Sequence, residues 1–215
     1  MNKVKIIETY SKKILNTQVA HDWKHVFRVR NNILKIAKAE KYSRLDLAEA
    51  AALLHDIGLP FAKTQGEHGA VGAMLAANFL REKKLFSEKE IKEIVNAIRF
   101  HNKKLEGGGA LLYLLRDADV LDLLGAMGIM RGFMSRHYQP DYSFGKTKGE
   151  MWLSPNKKFD KRFKQGLLPS DFAVDQINFQ RSCYENLKTK TAKKLARPLV
   201  KFMEKFLLQM DKETK

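Results

Sequence analysis

The chain is poor in the residues that staple or interrupt a fold. It holds a single cysteine, Cys183, so no internal disulfide can form, which fits a reducing compartment. No apolar stretch approaches the length of a membrane span: the longest Leu-rich run, Ala110 to Leu115, soon meets charge. The opening Met1-Asn2-Lys3-Val4-Lys5 leads into an amphipathic pattern with Glu8 and lacks the unbroken apolar core of a secretory leader. These absences predict a cytoplasmic protein with no membrane partner. No alternating strand pattern and no internal repeat stand out. Carboxylates are scarce as well, with 24 Asp and Glu against 40 Lys and Arg, for a net charge of +16. That excess suits a polyanionic partner, a nucleotide or a nucleic acid. A solvated basic surface would give the same number. Lys and Arg are spread over nearly every segment without one dense tract, so nucleic acid is the less favoured partner and a phosphate-bearing small molecule explains the charge as well.

What is present is helical periodicity. The 215 residues suit one domain, residues 1–215, able to bury a core without staples. Val4, Ile7, Ile14 and Leu15 mark one apolar face; Val26, Val29, Ile33, Ile36 and Ala37 mark a second. Leu45, Ala48, Ala51, Ala52 and Leu54 form a third helix with Ser43 as its expected N-cap, ended by Gly58 and Pro60. Ala70, Val71, Met74, Leu75 and Leu80 give a fourth. Ser87 with Glu90 reads as a capping box for a fifth, carried by Ile91, Ile94, Val95 and Ile98. Gly107-Gly108-Gly109 breaks the chain before a sixth helix, Ala110 to about Leu124, whose pattern allows continuation past Gly125. Residues 137–170 hold Pro140, Pro155 and Pro169 with no clear period and read as a long irregular segment, a candidate lid. Two helices close the chain, near Phe172 to Leu187 and Thr191 to Met210. The fold class is therefore all-α, a helical bundle with an irregular segment and C-terminal helices.

Three places break the apolar logic. His25 borders the Val29–Ile33–Ile36 face, and His21, Arg28 and Asn32 share its side of the helix. Alone, such a histidine is as well explained by half-burial beside a hydrogen-bond partner. His55-Asp56 ends the Ala/Leu-rich helix, where exposed carbonyls favour a cation. By itself the dipeptide is common by chance. The run Arg116-Asp117-Ala118-Asp119-Val120-Leu121-Asp122 sets three carboxylates in an oily helix, with Asp119 and Asp122 on one face. A carboxylate in a core is costly unless paired or metal-bound, and salt bridges to Arg116 or Arg131 remain an alternative. His68 and His101 fall near the ends of the fourth and fifth helices. Neutral imidazole and carboxylate together are ligands for Mn, Fe, Mg, Zn and similar divalent ions, and their scatter over separate helices suits a site inside a bundle.

These motifs resemble the HD superfamily of metal-dependent phosphohydrolases. The match lies in His25-Val26-Phe27-Arg28-Val29, in Leu53-Leu54-His55-Asp56-Ile57-Gly58 and in Asp117-Ala118-Asp119-Val120-Leu121-Asp122, and runs from about residue 20 to 135. Ala20-His21-Asp22-Trp23 and the terminal Thr191–Ala196 and Phe202–Leu207 segments are most similar to a bacterial subgroup of small HD hydrolases resembling nucleotide pyrophosphohydrolases. The resemblance implies an HD-domain core over 20–135 with C-terminal helices over 171–210. It implies His25, His55, Asp56 and Asp119 as metal ligands, with His68 and His101 as further ligands. The cofactor would be one or two divalent ions of the Mn, Mg, Fe, Co or Ni class. One departure is that Leu59-Pro60 stands where many relatives have Lys after His-Asp-Ile-Gly, with Lys63 as a stand-in.

The implied activity is hydrolysis of a nucleotide or related phosphate ester or anhydride by metal-activated water, with Asp56, His68, His101 and Arg28 as catalytic candidates. Lys24, Arg99 and Lys103 are outer-phosphate candidates, and Tyr138, Tyr142, Phe144 and Trp152 are candidates for stacking on a base. Two rivals stand beside this reading: a di-iron HD-type oxygenase using the same six ligands, and a non-catalytic nucleic-acid-binding helical protein. Oligomeric state is not legible.

Overall fold

In the computed structural model, residues 2–15, 20–103, 107–135 and 173–213 are described. Among them there is no strand, and the all-α expectation holds. The helices are α1 (Lys3–Leu15), α2 (Trp23–Ala39), α3 (Leu45–Leu54), α4 (His68–Glu82), α5 (Glu88–Phe100), α6 (Gly109–Asp122), α7 (Gly125–Ser135), α8 (Ala173–Ser182) and α9 (Lys190–Glu213), with short 3-10 turns at Leu59–Phe61, Gln65–Glu67 and Cys183–Asn186. No helix among the described residues is long and apolar enough to cross a membrane. The irregular segment 137–170, with its aromatic candidates, lies outside the described residues.

The chain divides into two compact units, Met1–Asp119 with Lys188–Ala192, and Val120–Leu187 with Lys193–Lys215. The first unit is organised around α3. Most of this helix is Ala and Leu, strong helix formers, and Leu47, Ala48 and every residue from Ala50 to Leu54 are fully buried. A helix apolar all round belongs in a core. It therefore delivers the residues at its C-terminal end, His55 and Asp56, to the interior. The apolar stripe of α2 is buried as its spacing predicts: Val26, Val29, Ile33, Ile36 and Ala37 are all at 0% exposure. Asp22 caps α2, its Oδ1 accepting from the His25 backbone N–H at 3.0 Å, which fixes the first turn on which His25 stands. The Ser87–Glu90 capping box at the start of α5 is present in both directions.

Two local expectations are corrected, and Arg116 takes partners the sequence did not suggest. Arg44, not Ser43, occupies the N-cap of α3, and no side chain caps it; instead the Arg44 guanidinium bonds Asp46 and Glu90. The sixth helix does not run on. It stops at Asp122, and α7 begins at Gly125, whose φ of +70° is a left-handed conformation that glycine adopts without the Cβ penalty. Arg116 donates to the carbonyls of Phe100, His101 and Lys103, tying α6 to the end of α5.

In the second unit Asp122 and Arg131 form a buried ion pair at 3.0 Å between α6 and α7. The salt-bridge alternative thus applies to this carboxylate. Asp117, in the first unit, accepts from the backbone N–H of Lys188 at 2.9 Å and of Thr189 at 2.7 Å, and from the Thr189 hydroxyl at 2.6 Å. It anchors the start of α9.

Candidate metal centre

Residues from four helix ends and one position within a helix converge in the first unit. His55 follows α3, His101 follows α5, His68 opens α4 and His25 stands in the first turn of α2. Asp119 comes from α6, which is held to α2 by a bond from Asn32 Nδ2 to the Ala118 carbonyl at 3.2 Å. Two glycines permit the approach. A Cβ on Gly58 would lie 2.1 Å from the His68 carbonyl oxygen and 2.4 Å from the Gly72 nitrogen. One on Gly69 would lie 2.8 Å from the Arg99 carbonyl oxygen. Backbone packed this closely brings His68 and His101 in against Asp56.

Asp56 is the hub. Its Oδ2 lies 3.4 Å from His25 Nε2 and 3.3 Å from His55 Nε2. Its Oδ1 lies 3.4 Å from His68 Nε2 and 3.6 Å from His101 Nε2. Within each histidine pair the Nε2 atoms stand close: 3.2 Å for His25 and His55, 3.0 Å for His68 and His101. Asp119 Oδ1 joins the first pair, 3.5 Å from His25 Nε2. Of the three carboxylates of its run, Asp119 is the one placed beside this pair.

The rings are held from behind. His55 Nδ1 donates to the Ala52 carbonyl and His101 Nδ1 to the Ile98 carbonyl, each at 2.7 Å. That leaves the Nε2 atom of each facing Asp56, the orientation of an imidazole that ligates a metal once its Nε2 proton is lost. His68 Nδ1 lies 3.3 Å from Asn102 Nδ2, on the residue after His101.

The carboxylates of such a cluster draw positive charge to it. Burial works against a charge at His55, yet the neighbouring Asp56 carboxylate, with help from Asp119 and the Ala52 carbonyl, raises its imidazole to about 9. Burial would raise Asp56, but the charges of His55 and His21 and the bonds from His101 and His21 hold it well below the usual carboxylate range. Asp119 is lowered too: burial opposes this, and the charges of His25 and His55 outweigh it.

The donor set fits a divalent ion. Ligands about 2.1 Å from one ion stand roughly 3.0–3.4 Å apart at octahedral or tetrahedral angles. The separations here run from 3.0 to 3.6 Å. The sets His25, His55, Asp119 and His55, Asp56, His101 each have donor atoms within 4.8 Å of one another.

The sequence marks His21 as a neighbour of His25 and as part of the Ala20–Trp23 resemblance, without a role in the site. His21 does more. Its Nδ1 lies 2.8 Å from Asp56 Oδ2, the shortest contact that carboxylate makes. A close His–Asp separation of 35 residues gives no local signal. His21 and Asp119, at 28% and 27% side-chain exposure, are the partly open members, whereas His25 and His55 are at 0%. They mark the side from which solvent reaches the cluster. Arg28 is half-buried, three residues beyond His25 on α2. Lys103 donates to the Gly66 carbonyl at 2.6 Å and holds the 3-10 turn before α4. Lys24, Lys63 and Arg99 are exposed.

Comparison with known proteins places this geometry in a family. Residues 22–127 match the family model of the HD domain. Protein YpgQ of Bacillus subtilis is 26% identical over 219 residues, covering 96% of this chain and 91% of that protein. The crystal structure of YpgQ in complex with ADP superposes with a TM-score of 0.67 at 21% identity, over 98% of this chain and 94% of that one. A predicted HD superfamily hydrolase from an uncultured Thermotogales bacterium gives a TM-score of 0.62 at 27% identity, over 99% and 91% of the two chains. An HD-superfamily hydrolase from Bacillus thuringiensis gives 0.69 at 24% identity, over 98% and 96%. The His, His-Asp and Asp elements thus converge within the matched residues 22–127, and this part of the chain is an HD domain.

Proposed function

We propose that the chain hydrolyses a phosphate ester or anhydride of a nucleotide, using two divalent ions held on either side of Asp56. One observation carries this reading: the two carboxylate oxygens of Asp56 face separate histidine pairs. His25, His55, Asp119 and Oδ2 would hold one ion; His68, His101 and Oδ1 would hold the other. Ions of the Mn, Mg, Fe, Co or Ni class supply Lewis acidity toward a phosphoryl oxygen and make a bound water nucleophilic near neutral pH.

The side chains do the rest. The bonds from His55 and His101 to carbonyls fix each ring before any substrate arrives. His21 holds the shared carboxylate from the open side. Arg28, half-buried beside the His25 turn, neutralises charge developing on the phosphoryl oxygens. Lys24 and Arg99 are exposed cations for the outer phosphates. Two observations favour a nucleotide: the net charge of +16 and the ADP complex of YpgQ, a protein that this fold matches over 98% of the chain. The six-ligand set also fits two irons, so the oxygenase reading has its own signature, oxygen uptake by the iron-loaded protein without phosphate release.

The test is a panel of nucleoside mono-, di- and triphosphates, dinucleoside polyphosphates and cyclic nucleotides with Mn, Mg, Co and Fe, with products identified. Metal-dependent turnover of at least one nucleotide is expected, and Asp56→Ala should reduce it to background while the helical circular dichroism is kept. Turnover that survives the substitution, or none on any nucleotide, refutes the proposal.

A further inference from the structure

One charge pattern is not used by the metal centre. Lys193, Lys194, Arg197, Lys201, Lys205 and Lys212 on α9 are all exposed. At about 100° per residue they fall within a sector of roughly 120°, and they extend along about 28 Å of helix. None of the six is in an ion pair among the described residues. The two carboxylates within the same span, Glu204 and Asp211, are only half-exposed, and Glu204 Oε1 lies 3.4 Å from Arg181 Nη1. Both carboxylates fall in the same sector, so cations that look scattered along the sequence are sorted in space into one stripe with an excess of positive charge.

We infer that this stripe docks the phosphodiester backbone of double-stranded nucleic acid. The choice of partner follows from what else α9 offers. An interfacial helix must put its apolar face into lipid, but Ala196, Met203 and Leu207 are at 0% exposure, already buried in the protein. Single strands are gripped by stacking bases on aromatic side chains, and Phe202, at 45% exposure, is the one exposed aromatic of the helix. A duplex needs neither. It offers about one negative charge per 1.7 Å of axis, so six cations spread over about 28 Å of helix find phosphates along that length. Contacts of this kind hold and orient without reading sequence.

The experiment is fluorescence anisotropy of a labelled 20-base-pair duplex with the full chain, from 50 to 200 mM KCl, beside phosphatidylserine vesicles. Binding to the duplex should fall about 1,000-fold over that range if all six cations engage. Lys194→Glu/Arg197→Glu/Lys201→Glu should abolish it or lower the salt slope by about three. A charge-matched control, Lys12→Glu/Lys13→Glu/Lys89→Glu, alters exposed lysines on α1 and α5 and should retain binding and slope. Equal thermal melting of the two variants separates loss of binding from loss of fold. Absence of duplex binding by the native protein, equal loss in both variants, or binding to vesicles and not to duplex would each overturn the inference.

Discussion

Replacing Gly58 by Ala tests whether close backbone packing sets the metal centre. The added Cβ would lie 2.1 Å from the His68 carbonyl oxygen, and Cβ contacts under 3.0 Å essentially never occur, so α4 must retreat by about 0.9 Å. The obstacle is backbone on both sides, since the Gly72 nitrogen is 2.4 Å away, so no rotamer change relieves it. His68 is the first residue of α4 and moves with it. Coordination tolerates about 0.2 Å, several times less than the displacement. The His68–His101 side of Asp56 should therefore lose its ion, while His25, His55 and Asp119, on α2, α3 and α6, keep theirs. Overpacking should also cost about 1–3 kcal/mol of stability. Isothermal titration with Mn should show one tight ion against the two expected of the native protein, and a calorimetric melt should show the lowered Tm. Two ions bound with native affinity in G58A would refute the reasoning, even if the protein were less stable.

Further predictions concern individual side chains. His21→Ala should weaken ion binding roughly 10–100-fold by freeing the Asp56 carboxylate, with His21→Asn recovering part of the loss because its amide can donate in place of Nδ1; unchanged affinity in H21A would remove His21 from the site. Asp117→Ala should cost about 2–4 kcal/mol by stripping the acceptor from Lys188 and Thr189 and leave ion affinity intact, whereas Asp119→Ala should do the reverse; equal loss of ion binding in both would mean the wrong carboxylate has been chosen. The metal-free protein should respond to pH in a defined window. His55 is raised from 6.5 to about 9, so its stabilising contribution is complete below pH 6.5 and disappears as pH rises through 9. Asp56 is lowered from 3.8, so its contribution is present above that value and disappears as pH falls through its depressed one. Tm should fall between pH 6.5 and 9, and ion affinity should rise over the same interval because the ion displaces the His55 proton. A Tm that is flat across that window contradicts the electrostatic picture.

Several features were readable in the sequence because they are local. The Ser87–Glu90 capping box is a three-residue relation, and the α2 stripe is a 3.6-residue period; each appears in place. Other local readings failed where a distant group intervened. Ser43 is a good cap by residue type, but Arg44 lies at the cap position and bonds to Glu90, 46 residues away. Helical projection put Asp119 and Asp122 on one face, yet Asp119 lies beside His25 and Asp122 pairs with Arg131. A projection gives direction from the helix axis and not what stands there.

The sequence alone determined that the chain is helical and which residue types could hold a cation, because periodicity and ligand chemistry are properties of short segments. The HD resemblance added which histidines and carboxylates to group. Only the tertiary structure decided that Asp56 turns one oxygen toward each histidine pair, that His21 closes on it, and that Asp117 holds α9 instead of serving the site. Those outcomes depend on how nearly helix backbones can approach, which glycines such as Gly58 and Gly69 permit. They also depend on desolvation, which makes each buried carboxylate find a partner wherever the fold supplies one.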